Sequence, residues 1–209
     1  MYYWPTINQR VTLPFGSTEP PYDKGTPHYG LDLAPFPGST GSPITLPWDA
    51  LVIAKTYSNQ GCGNHAVFQC SLPFDALTLD INKQPITLKA NTLFIMRMCH
   101  MQEIDSAIKD VVRVQAGQKV GTIGSTGFST GSHVHIDINV ANVYYDPYPI
   151  LKKAIAQPSD TPAPPVATRW VKIYNNRVFV AKVPVLDGMN IYTKVSADGS
   201  LFIDVRELG

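Results

Sequence analysis

Residues 121–140 read GTIGSTGFSTGSHVHIDINV, a glycine-rich stretch that runs straight into a β-branched alternating one. The second half predicts a strand over His133 to Val140. Residues two apart on a strand point the same way, about 6.6 Å apart at ~3.3 Å per residue. His133 and His135 therefore share a face and can serve one site, one holding a metal and the other beside a ligand. A half-buried pair of strand histidines is the plainer alternative. In the first half, glycine recurs at 121, 124, 127 and 131 among Ser and Thr. No Gly-Lys-Ser/Thr ending and no helix follow, so a phosphate loop is excluded. The stretch reads instead as the wall of a groove whose backbone can pair an extended chain.

Two more segments carry similar chemistry. PHYGLDLAP (Pro27–Pro35) places His28 and Asp32 around Gly30, between two prolines that disfavour helix. A flat strand would set the two Cα atoms about 13 Å apart. The segment is therefore expected to bend, at Gly30. One His, one Asp and a second His make an open zinc set, three ligands with water in the fourth place. Spacing alone does not choose between His133 and His135 as the third ligand. His100 ends a strand expected over Thr92 to His100, on the face opposite Cys99. His65 follows a turn and is read as having no functional role.

The other expected strands are Arg10–Leu13, Ile44–Tyr57, His65–Cys70 and Val120–Ile123, separated by Gly, Pro, Ser and Asn clusters. A helix is expected over Pro149–Ala156, from apolar residues at helical spacing. The fold class is all-β: a small antiparallel sheet or sandwich with a groove. Residues 1–156 form the main domain, 157–168 (QPSDTPAPPVAT) a Pro-rich linker, and 169–209 a small β module. The 209 residues carry a net charge of +1, which gives no electrostatic case for nucleic acid or an anionic membrane. No apolar run reaches the ~20 residues of a membrane span, and MYYWPTINQR is not a signal peptide. Cys62, Cys70 and Cys99 are an odd set, expected as buried free thiols, although Cys70 and Cys99 could face each other across strands.

In this order the motifs resemble the lysostaphin-type zinc endopeptidases of peptidoglycan, a family that includes bacteriocins, autolysins and phage lysins. The resemblance rests on Trp4-Pro5, Phe15-Gly16, His28 to Asp32 in HYGLDLAP, GSPITLPWDALVIAK, Gly63-Asn64, Met98-Cys99-His100-Met101, VRVQAGQKVGTIG and GSTGFSTGSHVH. It covers roughly Tyr3 to Leu151. It implies one Zn2+ held by His28, Asp32 and His135, with His100 and His133 as catalytic histidines. Tyr29, Asn64, Ser125, Thr126, Ser129 and Thr130 are the candidate substrate contacts. The implied partners are stem or cross-bridge peptides of peptidoglycan, with the C-terminal module docking to cell wall or a virion assembly. The implied place of action is the cell-wall side, reached by phage delivery, on a virion, or as a trimmed secreted protein. Four features depart from the family: Ser132 before the His-x-His, Ile136-Asp137 after it, Met98 before His100, and an insert over Ser71–Asn91. The insert reads as a hairpin (FDALTLDI, a turn at Asn82 to Pro85, then ITLKANTLF) and is expected near the groove. One competing reading is an inactive member that binds or regulates, against which all five key positions are filled. The other is a cysteine peptidase using Cys62 or Cys99, disfavoured because Cys99 is expected to face away from His100.

Overall fold

The structure is a computed structural model. It describes residues 2–23, 25–35 and 40–155, and the backbone of four strands beyond. The chain opens with β1 (Val11–Leu13), β2 (Leu31–Leu33), β3 (Pro43–Thr45), β4 (Ala50–Thr56) and β5 (His65–Ser71). The hairpin β6 (Ala76–Leu79) and β7 (Pro85–Leu88) leads to β8 (Leu93–Cys99) and β9 (Met101–Ile104). There follow β10 (Arg113–Val114), β11 (Lys119–Ile123), β12 (Val134–Val140), β13 (Val143–Tyr145) and helix α1 (Pro147–Ile155). All pairings are antiparallel, and the largest sheet runs β1-β2-β12-β8-β5-β4-β10, with β13 also on β12. A second sheet is β3-β11-β9. Among the described residues the protein is thus all-β apart from α1.

The large sheet has one oily face and one chemical face, which follows from period-2 alternation carried across matched registers. Ile136 lies opposite Met98 and Ile138 opposite Met96, while Ala66 and Phe68 continue the same rows on β5. These residues are buried, with Leu31, Leu33, Trp48 and Phe94, in one core. On the other face of β12 and β8, His135 lies opposite Cys99 and Asp137 opposite Arg97. The strand expected over Ile44–Tyr57 is two strands, because Pro47 interrupts it and the Pro47 carbonyl accepts from the Tyr3 N–H instead. β2, β9, β10 and β13 are too short to be seen as periodic runs.

Helix α1 begins two residues earlier than expected. Asp146 caps it, its Oδ1 accepting the Tyr148 N–H at 2.9 Å, and Pro147 takes the first helical position. Ile150, Leu151 and Ala154 turn one face into the core. The insert is the β6–β7 hairpin, turning at residues 80–84. It packs on the start of α1, where Thr78 Oγ1 donates to the Asp146 carbonyl at 2.8 Å. It does not line the groove, contrary to expectation.

The chain divides into two compact units, Met1–Pro164 and Pro165–Gly209. The second holds the hairpins β14 (Arg169–Asn175) with β15 (Val178–Val185), and β16 (Met189–Val195) with β17 (Leu201–Glu207). The Pro-rich segment 157–168 lies outside the described residues.

Candidate metal centre

The register of the large sheet builds the site. β12 lies between β2 and β8, and His135 sits directly opposite Asp32. His28 enters from the segment before β2. Its backbone pairs with residues 16 and 17, the N–H donating to the Ser17 carbonyl and the carbonyl accepting from Gly16. The Phe15-Gly16 corner thereby brings the Pro14 carbonyl to 3.0 Å from His28 Nδ1. Gly30 acts differently from the expectation. Its φ is not in the left-handed region, and what it supplies is space. A Cβ there would lie 2.5 Å from the Ile136 carbonyl oxygen and 2.6 Å from the His135 ring.

Three atoms converge at this point. His28 Nε2 is 3.1 Å from Asp32 Oδ1 and 2.9 Å from His135 Nδ1, and His135 Nδ1 is 2.9 Å from Asp32 Oδ1. Among the described residues, these three form the one cluster of metal-binding side chains. Ligands about 2.0–2.1 Å from a tetrahedral ion lie about 3.3 Å apart, close to the spacing here. The outer nitrogens are occupied. His28 Nδ1 faces a carbonyl, which only a protonated nitrogen can satisfy, so Nε2 turns a lone pair inward. His135 Nε2 lies 3.7 Å from Asp137 Oδ2, so its Nδ1 turns inward. Asp137 is almost fully buried and is held by Arg97 at 2.7 and 2.8 Å. Two nitrogen lone pairs and a carboxylate oxygen facing one point are a donor set for a cation.

The electrostatics agree. Burial by itself would raise the Asp32 pKa, but hydrogen bonds to His135 and His28 outweigh it and hold the carboxyl well below its ordinary range. Burial likewise pulls His135 down, yet Asp137 and Asp32 overcome it and push the imidazole up to about 9. The cluster favours positive charge at its centre.

His100 and His133 stand beside this centre, their rings 4.7 Å apart and the His100 ring 6.1 Å from that of His135. His100 Nδ1 donates to the Thr126 carbonyl at 2.8 Å, and His133 Nδ1 to the Gly131 carbonyl at 2.8 Å. Each therefore turns Nε2 toward the centre. His133 Nε2 is 3.5 Å from Asp32 Oδ2. Burial pushes the His100 pKa down to about 4, so the ring is neutral near pH 7. His100 takes a left-handed conformation, φ 61°, which breaks the alternation at the end of β8. Cys99 and His100 consequently line the same hollow rather than opposite faces.

Two hollows meet at the histidines. One, of about 270 Å³, is lined by Tyr29, Arg97, Cys99, Phe128, His135 and Tyr144, among others. The second, of about 380 Å³, has Arg10, Asp32, Ser129, Thr130, Ser132 and His133 in its walls. Tyr22, His100 and Phe128 border both. Of the candidate contacts, Tyr29, Ser129 and Thr130 face these hollows. Ser125 pairs with Ser129 through their hydroxyls at 3.0 Å. Asn64 and Thr126 are used within the protein, and Asn64 borders a separate depression. Tyr22, Arg97 and Tyr144 carry no motif and were invisible in the sequence. Proximity of Arg97 to His135 follows only from the β8–β12 register.

The cysteines also differ from expectation. Cys62 and Cys99 form a disulfide, and Cys70 is free and buried. Cys70 pairs across from Phe94 on the core face, whereas Cys99 is on the groove face, so these two cannot meet. The bonded Cys99 offers no thiolate, which removes the cysteine-peptidase reading.

Known proteins are similar to this chain. Two curated relatives are an uncharacterised metalloprotease of Buchnera aphidicola subsp. Baizongia pistaciae, 30% identical over 115 residues, and the glycyl-glycine endopeptidase ALE-1 of Staphylococcus capitis, 30% identical over 134 residues. The matches take in 55% and 62% of this chain but only 24% and 30% of those proteins. The catalytic domain of lysostaphin from Staphylococcus simulans has the same fold, with a TM-score of 0.51 at 22% identity over 68% of this chain and 92% of that one. The family model for peptidase family M23 matches residues 26–147, from just before His28 to the first residue of α1. That span is more than half of the chain and contains all five site residues, and the chain belongs to peptidase family M23.

Proposed function

We propose that this chain is a zinc-dependent endopeptidase that hydrolyses peptide cross-links or cross-bridges of bacterial peptidoglycan. The observation that carries the reading is the meeting of three metal-binding atoms, on His28, Asp32 and His135, beside two imidazoles that are each tethered at Nδ1 to a loop carbonyl. ALE-1, 30% identical over 134 residues, is by name a glycyl-glycine endopeptidase. His28, Asp32 and His135 would hold the zinc ion, which would supply positive charge to polarise a carbonyl and acidify water.

The chain's own residues then divide the work. His100, kept neutral by burial and tethered at Nδ1, accepts a hydrogen bond at Nε2 and orients the attacking water. His133, also tethered at Nδ1, accepts the water proton at Nε2. The protonated ring, with Asp32 Oδ2 3.5 Å from its Nε2, then donates to the leaving amine. Tyr22 borders both hollows, and burial followed by the nearby Asp32 charge raises its pKa, so its hydroxyl stays a donor for the substrate backbone. The two hollows share Tyr22, His100 and Phe128 as walls, and together they offer an extended peptide room beside the centre. A disulfide suits action in oxidising surroundings, on the cell-wall side of the envelope.

The test is digestion of purified peptidoglycan with and without a chelator, followed by mass spectrometry of the released muropeptides. New amino and carboxyl termini at one peptide bond, lost on chelation and restored by zinc, are expected. Release of intact cross-linked material only, or cleavage indifferent to the chelator, would refute the proposal.

A further inference from the structure

The hydrogen bonds that His100 donates go to two segments outside the strands of the large sheet. The His100 N–H donates to the Cys62 carbonyl at 2.9 Å, and the next N–H, of Met101, to the Asn64 carbonyl at 2.9 Å. The ring donates to the Thr126 carbonyl. Thr126 Oγ1 in turn accepts from the Asn64 N–H at 2.8 Å and donates to the Met101 carbonyl at 3.0 Å. Phe128 closes the loop, its N–H donating to the Gly61 carbonyl at 2.7 Å. The turn at 61–64 and the loop at 126–128 are in contact through bare backbone. A Cβ on Gly63 would lie 2.3 Å from the Thr126 carbonyl oxygen, and one on Gly127 2.3 Å from the Gly63 nitrogen. His100 itself holds a left-handed φ that L residues rarely adopt, and needs its surroundings to keep it there.

One covalent tie crosses this knot. The disulfide joins Cys62, whose carbonyl takes the His100 N–H, to Cys99, the residue before His100. The metal-binding atoms lie on other segments, β2, its approach and β12. We propose that the Cys62–Cys99 disulfide, with Thr126, positions His100, and that turnover therefore depends on the oxidation state of this cysteine pair. The inference rests on the reading of His100 as part of a hydrolytic site. The redox step is thiol–disulfide exchange. Two molecules of a small thiol such as glutathione give up their protons and form their own S–S bond, while the protein S–S bond breaks into two protonated thiols. Oxidised glutathione reverses it. Cys70 is silent in this exchange, since it is buried on the core face and burial pushes its thiol up to about 12.

The test uses the full chain loaded with zinc, with soluble cross-linked muropeptides as substrate. Three states are compared: oxidised, reduced with a phosphine that does not bind metal, and re-oxidised with oxidised glutathione. Two variants accompany them, the double change Cys62→Ser with Cys99→Ser, and Thr126→Val, which loosens the same knot with the disulfide intact. Reduction and both variants are expected to lower kcat roughly 10- to 100-fold, since misplacement by about 1 Å costs that much. KM should stay within about twofold, zinc per chain should be unchanged, and re-oxidation should restore the rate. The His100 imidazole NMR signal, assigned by its absence in His100→Ala, should move on reduction while those of His28 and His135 stay. Equal kcat in the reduced, zinc-loaded protein overturns the proposal, as does a rate loss that only tracks lost zinc. So does a His100 signal that reduction leaves in place. If the oxidised, zinc-loaded protein cleaves no muropeptide, the hydrolytic reading fails instead, and the NMR measurement still decides whether the disulfide positions His100.

Discussion

The two sides of the site are held by different physics. Asp32 and His135 stand on neighbouring strands of the large sheet in a register that puts them face to face, with a buried core beneath. A one-residue slip of either strand would turn its site residue into the core, so the whole hydrophobic pattern guards their position. His100 and His133 lie off regular strand, tethered through Nδ1 to loop carbonyls, and on the His100 side through glycine-to-glycine contact and a disulfide. The metal-binding side is thus specified by burial and ladder hydrogen bonds. The imidazole side is specified by turn chemistry and a cross-link, which are cheaper to disturb.

The largest effect that can break this contrast is on the metal. His28→Ala, Asp32→Ala and His135→Ala should each bring zinc per chain, read by elemental analysis, down to background, and cleavage with it. His100→Ala and His133→Ala should keep the metal and lose turnover. Metal loss in the second group would erase the distinction between the two sides.

A smaller effect separates the inward atoms from their support. Asp137 touches no inward atom, yet it faces His135 Nε2 and is anchored by Arg97. Asp137→Ala should weaken zinc binding about 10- to 100-fold, measured by chelator competition, with the fold kept. An unchanged affinity would show that the register alone orients His135.

The smallest effect lies outside both sides. Asp146→Ala removes the cap of α1 and should cost about 1 kcal/mol. Thermal unfolding should shift by about 2–4 °C for a unit of this size. Zinc affinity and kcat should not change, which makes this variant the control for stability loss as such.

How much of this was legible follows the same division. The His-x-His strand, the His28–Asp32 segment and the alternation of β5, β8 and β12 are local patterns, and they stand close to where their periodicity put them. His28, Asp32 and His135 were named through the family resemblance, and in the structure their atoms meet. Gly30 was read for a bend, but it is needed because two strands and a ring close on it, which no neighbour in sequence reports. The sequence offers no sign of the Cys62–Cys99 pairing, because Cys62 lies in the turn before β5 and meets Cys99 only through the antiparallel pairing of β5 with β8. The insert departs from the family between two strands and is expected near the groove, whereas its contacts are with the start of α1.

The amino-acid sequence by itself determined the all-β character, the order of short strands, and the residue types able to grip a cation. These depend on backbone preference and on side-chain chemistry, both carried by each residue and its near neighbours. Tertiary structure alone decided which nitrogens turn inward, that Arg97 and Asp137 stand behind His135, and that a disulfide braces His100. Those relations join segments dozens of residues apart through strand order and register, which the packing of the whole sheet selects.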